Sequence, residues 1–305
     1  MNRLPFRPSA PRILILAALS LAALSLAAQT SSPAQAPSST APSPAPSPSD
    51  HPLAEPPASK SNPDNGWLAR TSKLYYSSSK AGLTGFDCEA HPDWQALIAS
   101  ATRGDPLPAD DPRMILLKSV KVAIHAHMRG GSTIDWTDAN ENNPLDQHSI
   151  DTLDGLHRTV EQMLEGFLQF WTPFIEDSVV PDSADGLDIT HTPTVHTIHA
   201  HQGDTELTEV FSTDLILEQF NVNMSGTSIK FAPTYKPTPK GLLVSGFRAH
   251  VLPAGTPADQ AQDMNVDIDY QTINGFPIPD KLSMDVIGTG KFNFTLDGCA
   301  TTKAN

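Results

Sequence analysis

Two histidine pairs, His125-Ala126-His127 and His199-Ala200-His201, sit in segments that alternate apolar and polar residues. In a strand, residues i and i+2 share a face, so each pair would present two imidazoles together. Two such strands side by side would offer four nitrogen ligands, a set suited to zinc or copper. His191 and His196 lie nearby in sequence. No local carboxylate stands ready to orient these rings, as ligating imidazoles usually require. The plainer alternative is solvated histidines on the polar side of strands.

A second group is apolar. Phe167, Phe170, Trp171 and Phe174 follow a three-four spacing, which puts them on one side of a helix. Together with Phe211, Leu215, Phe231, Tyr235 and Phe247 from later strands, they would line a cavity for an acyl chain or similar apolar ligand. The competing reading is ordinary core, which such stripes usually form. Asp267 and Asp269 share one side of a strand and could act as acid and base; more often such a row is the wet face of an exposed strand. The sequence contains no Gly-X-Ser-X-Gly elbow, no phosphate-binding glycine loop and no His-Glu-X-X-His motif. No cofactor is expected, and no motif assigns a reaction.

The elements that must carry these residues follow from periodicity. A short helix is predicted from Asp64-Asn65 through Trp67-Leu68 to Ser78, then a strand over Leu83–Glu89 with Phe86 and Cys88. Pro92 is expected to open a second short helix that Gly104 ends. Met114–Met128 reads as one strand, with Leu116, Val120, Val122, Ile124, Ala126 and Met128 on its apolar side. Gly130-Gly131 turns the chain back. The longest periodic segment, about Ser149 to Asp177, predicts a helix that Pro173 should kink or end within its last turn. After Leu187 the pattern is strand and turn. Pro237 to Gly241 reads as a rigid connection, and Asn274-Gly275 as a two-residue hairpin turn. Beyond that turn, Pro277 and Pro279 are expected to leave a sheet edge unpaired as far as Lys281.

Residues 1–28 read as a cleavable secretory signal: Arg3, Arg7 and Arg12, an apolar stretch from Ile13 to Leu26, then Ala27-Ala28. That stretch is shorter than the ~20 residues that span a bilayer comfortably, and no later segment qualifies as a transmembrane span. Residues 29–63 are rich in Pro, Ser and Ala, with too little apolar surface to bury, and read as a disordered linker. Residues 64–303 then form a single domain. Without the three signal arginines, 17 basic residues face 34 acidic ones, a net charge of −17. Such a surface repels nucleic acid and anionic lipid headgroups. The two cysteines, Cys88 and Cys299, are expected to pair in an oxidising compartment, the alternative being two free buried thiols. That bridge closes a very long loop, worth roughly 3–5 kcal/mol on the chain-entropy model.

The stretch Trp67-Leu68…Leu74-Tyr75-Tyr76 into Gly85-Phe86-Asp87-Cys88, and the ending Asp267-Ile268-Asp269-Tyr270…Asn274-Gly275-Phe276-Pro277-Ile278-Pro279, resemble the first helix-strand unit and the late hairpin of a known superfamily. This is the superfamily of periplasmic outer-membrane lipoprotein carriers (LolA/LolB-like), including secreted relatives of unassigned function. The resemblance extends over most of residues 66–300. It implies a strongly curved antiparallel sheet, half-barrel-like, with helices closing an apolar cavity. The carriers' functional arginine has no assured counterpart here; Arg248 stands in a plausible strand.

The expectation is therefore an α+β fold, a curved antiparallel sheet covered by a long amphipathic helix. The protein is expected to be exported to the periplasm or the outside. Its leading function is non-enzymatic binding or carriage of an apolar, lipid-like small molecule. The alternatives are a histidine-based metal-binding protein or metalloenzyme, and a structural or adaptor domain with a filled core.

Overall fold

The computed structural model describes residues 62–102, 107–128, 131–137 and 147–304. The expected signal, nearly all of the linker, Gly104 and Gly130 lie outside the described residues. Among the described residues there are four α-helices and twelve strands. In chain order these are α1 (Asp64–Ser72), β1 (Leu83–Pro92), α2 (Trp94–Thr102), α3 (Pro112–Ser119), β2 (Lys121–His127), β3 (Gly131–Thr137) and α4 (Gln147–Glu176). The strands β4 (Asp188–His191), β5 (Val195–Gln202), β6 (Thr205–Ser212), β7 (Leu217–Met224), β8 (Thr227–Thr238), β9 (Gly241–Leu252), β10 (Gln262–Ile273), β11 (Phe276–Val286) and β12 (Gly290–Lys303) follow.

All twelve strands join one open antiparallel sheet, in the order β3-β2-β1-β12-β11-β10-β9-β8-β7-β6-β5-β4. Nearly every neighbour in space is also a neighbour in sequence. The exception is the β1–β12 seam, where the first meander meets the last strand. Cys88 and Cys299 form a disulfide across that seam, with Cα atoms 4.2 Å apart. The helix α4 connects β3 to β4, the two opposite edges of the sheet.

The segment Met114–Ser119, expected as the first part of a strand, is instead the helix α3. Asp111 caps it: its carboxylate accepts the Arg113 backbone N–H at 2.9 Å and holds the Arg113 guanidinium at 2.7 Å. Pro112 takes the first helical position, where a missing N–H costs nothing. The capping dipeptide Asp111-Pro112 therefore outweighs the alternation that follows, and the strand begins only at Lys121. A similar shift affects the next-earlier helix. Pro92 ends β1, and Asp93 caps α2 by accepting the Ala96 N–H at 3.1 Å.

As expected, α4 closes within the turn that follows Pro173, at Glu176. Helix-end carbonyls need outside donors, and the segment after α1 supplies them. The Ser78 N–H bonds Ile175 O at 2.6 Å, the Ser79 N–H bonds Glu176 O at 3.0 Å, and the Ser77 hydroxyl bonds Glu176 O at 3.1 Å. The predicted first helix is also shorter than expected, closing at Ser72. Beyond it, Tyr75 lies parallel to Leu242 at the start of β9. Gly241 permits this crossing: it has φ +118°, and an added Cβ would lie 2.8 Å from Leu74 O and Tyr75 C. The connection expected over Pro237–Gly241 is shorter too, because β8 runs on through Pro237, paired with Leu242.

Asn274 (φ 52°) and Gly275 (φ 84°) form the predicted tight turn. Pairing of β11 with β12 begins at Lys281, as the two prolines required. In the unpaired interval the Gln271 side-chain amide donates to Leu296 O at 2.8 Å. It thereby supplies across the gap a donor that the proline-bearing backbone lacks.

Candidate ligand site

The apolar side of α4 meets the middle of the sheet. Phe170 lies against Phe231 and Phe247, with ring centroids 4.3 and 3.9 Å apart. Phe174 follows it and reaches Phe220. Trp171 sits edge-on to Phe86 and stacks near Phe167. Its indole N–H donates to the hydroxyl of Tyr270. Burial, outweighing that hydrogen bond, raises the Tyr270 phenol well above its ordinary pKa, so the hydroxyl keeps its proton.

One turn toward the helix N-terminus the contact loosens. Met163, Gly166 and Phe167 of α4 face Phe247, Met264, Val266, Met284 and Val286 around an apolar cavity. Its floor is two rows of cross-strand neighbours: Phe247–Val266–Met284 and Met264–Val286. The space admits the centre of a water-sized molecule over only about 20 Å³, enough for about one water. Three of its eight lining residues are methionines, unbranched side chains that re-pack readily.

The nine apolar residues singled out from sequence divide between two places. Phe167 and Phe247 line the cavity, and Phe170, Trp171, Phe174 and Phe231 continue from it as packed core. Phe211, Leu215 and Tyr235 lie elsewhere, beneath α1 and the segment after it. Phe211 meets Trp67 edge-on, and Tyr235 meets Tyr75. Leu215 occupies a turn with φ 64°, its carbonyl accepting the Tyr75 hydroxyl at 3.0 Å. Sequence reasoning missed Met163, Gly166, Met264, Val266, Met284 and Val286. The alternation on β10 and β11 placed four of them on one side of the sheet; only the register puts them opposite one another.

A buried carboxyl was also missed. Glu209 on β6 is 4% exposed, between Ile198 and Phe220 in the core-facing row. Desolvation raises its pKa to about 8, so it is largely neutral at pH 7. Its Oε2 and the buried Tyr235 hydroxyl have no hydrogen-bond partner among the described residues.

The two His-X-His strands are not side by side. His125 and His127 are on β2, His199 and His201 on β5, and β1, β12, β11, β10, β9, β8, β7 and β6 lie between. Sequential pairing builds the sheet as meanders, which keeps these strands near opposite edges. His125 instead sits between two carboxylates, with Nδ1 2.6 Å from Asp87 and Nε2 3.4 Å from Asp135. These come from β1 and β3, strands whose adjacency only the fold creates. His199 Nδ1 meets the Thr208 hydroxyl at 3.0 Å. Among the described residues, no group of three or more His, Cys, Asp or Glu is arranged to hold a metal ion. Asp267 and Asp269 are exposed on β10.

Comparison with known proteins finds no matching family model, no matching curated protein and no matching solved structure. No helix among the described residues is long and apolar enough to cross a membrane.

Proposed function

We propose that this chain is an exported, non-enzymatic binder of an apolar, lipid-like ligand, held where α4 closes over the sheet. The observation that carries this reading is the cavity between Met163, Gly166 and Phe167 and the two apolar rows of β9, β10 and β11. Topology supports the covering role of the helix. Thirty residues at about 1.5 Å each make a rod of roughly 45 Å. Twelve strands about 4.8 Å apart would separate the edges of a flat sheet by roughly 50 Å. A helix joining β3 to β4 therefore has the reach to cross a curved sheet from edge to edge. A ligand would enter by displacing the three methionine side chains, with the Trp171–Tyr270 contact as the fixed end of the lid. The resemblance to lipoprotein carriers points the same way, and the disulfide suits an oxidising compartment.

A second reading, a structural or adaptor domain with a filled core, is favoured by the small volume of the cavity. One experiment separates the two. Protein exported by cells is examined by native mass spectrometry and then titrated with a fluorescent fatty acid. A co-purifying apolar mass, or saturable probe binding that Met284→Trp abolishes, supports the binder. A bare mass together with no probe binding leaves the filled-core domain.

A further inference from the structure

The first turn of α1 meets the β4 edge of the sheet in a cluster separate from the ligand cavity. His191 and His196 are direct cross-strand partners on β4 and β5. Their Nδ1 atoms lie 2.8 Å apart. The other nitrogen of His191, Nε2, is 3.1 Å from Asp64 Oδ1 at the start of α1. Trp67, one turn along α1, sets its ring edge-on against both imidazoles, with centroids 5.3 and 5.4 Å away.

From these contacts we infer that His191 and His196 form a two-imidazole site for a divalent transition-metal ion, with Asp64 as the outer carboxylate that orients His191. An ionised Asp64 accepts only, so the neutral His191 ring carries its proton on Nε2 and turns a lone pair on Nδ1 toward His196. Carboxylates hold metal-ligating histidines in the same way. His196 then either donates its own Nδ1 proton to that lone pair or carries the proton on Nε2. In the second tautomer both Nδ1 atoms keep a free lone pair, and a metal ion between them would bind without any proton being released.

The fit is close. A tetrahedral ion with bonds of about 2.0–2.1 Å holds two nitrogens roughly 3.3 Å apart. The rings need to part by only about half an ångström. The His191 side chain is 37% exposed, so an ion has access from solvent and water fills the remaining coordination positions. Nitrogen ligands order the divalent ions with Cu²⁺ the tightest. Binding would pin α1 to the edge strand β4 and add the metal's binding energy to the stability of that end of the sheet.

Trp67 makes the site readable. In the full exported protein, titration with Cu²⁺ is expected to quench part of the tryptophan fluorescence with one-to-one saturation, and Zn²⁺ is expected to restore it by competition. Trp67→Phe removes that quenching but keeps the heat of binding in calorimetry. His191→Gln and His196→Gln preserve hydrogen-bonding capacity and lose the site. Asp64→Asn leaves both ligands in place and weakens affinity about 10–100-fold. Circular dichroism establishes that each variant is folded. Wild-type affinity in the two glutamine variants, or quenching that survives Trp67→Phe, places the ion elsewhere and overturns the assignment. Affinity unchanged by Asp64→Asn removes the outer carboxylate from it.

Discussion

The indole nitrogen of Trp171 donates to the hydroxyl of Tyr270 at 2.7 Å, and that hydroxyl donates onward to the carbonyl of Val244 at 2.6 Å. A residue of α4 is thereby tied through one side chain to two adjacent strands, β10 and β9. The Tyr270 ring also lies under the Lys236 ammonium, 4.3 Å from its centroid.

Removing this tie should loosen the helix. Tyr270→Phe keeps the ring and deletes the hydroxyl, leaving the Trp171 N–H without its acceptor. Each orphaned buried group costs about 1–3 kcal/mol. The expected result is a lower urea midpoint at unchanged m-value, with faster amide exchange in residues 163–176. An unaltered midpoint would show that the bond contributes nothing net.

Gly166→Ala tests the cavity and the helix together. An added Cβ there meets nothing within 4 Å, and alanine in place of glycine inside a helix gains about 1 kcal/mol. The variant should be more stable than the parent in thermal or urea unfolding. It should also bind an apolar probe more weakly, because the methyl group occupies the cavity. Stabilisation with undiminished binding would place the probe somewhere else.

Glu209 gives the fold a pH dependence whose sign is fixed. Its folded pKa, about 8, lies above the ordinary value of 4.5. The folded state therefore holds a proton that the unfolded chain releases. The stability from this proton is fully present below pH 4.5, declines as pH rises, and is gone above about 8. Glu209→Gln stays neutral throughout. Urea midpoints from pH 5 to 9 should fall for the parent and flatten for the variant. The variant should be the more stable at pH 9, by an amount on the order of a few kcal/mol. Parallel curves would mean that the carboxyl ionises in place or finds a partner.

The disulfide closes a loop with a sequence separation of 211 residues at the β1–β12 seam. Substituting both cysteines with serine, or reducing the native protein, should cost about 2–5 kcal/mol. Denaturation with and without reductant measures it. Proteolysis should then cut first near the seam, since the first three strands join the sheet only through β12. Equal midpoints in the two conditions would rule out a stabilising bridge.

Much of this protein was legible in its residues. The apolar stripe of α4 follows from a three-four spacing. The β10–β11 turn follows from Asn274-Gly275, because few other pairs tolerate two positive φ values. Pro277 and Pro279 gave the point where β11 begins to pair with β12, because a missing N–H can face only an unpaired side. Local chemistry misled at one place where two local signals competed. At 111–120 a helix cap overrode a strand-like alternation. At the end of α4 the serines that satisfy the last carbonyls, Ser77 to Ser79, come from far away in sequence and carried no local signal.

What the sequence determined by itself was each element's own periodicity, its turns and the residues on its apolar side, since these depend on neighbours within a few positions. Which residues meet across space was decided only by the tertiary structure. The register of β10 against β9 and β11 set Met264 and Met284 under Met163. The separation of β2 from β5 kept the two His-X-His pairs apart, and the approach of α1 to β4 gathered Asp64, His191 and His196. Such meetings depend on strand order, and strand order is set by how the whole apolar surface is buried, a sum over the chain that no short window contains.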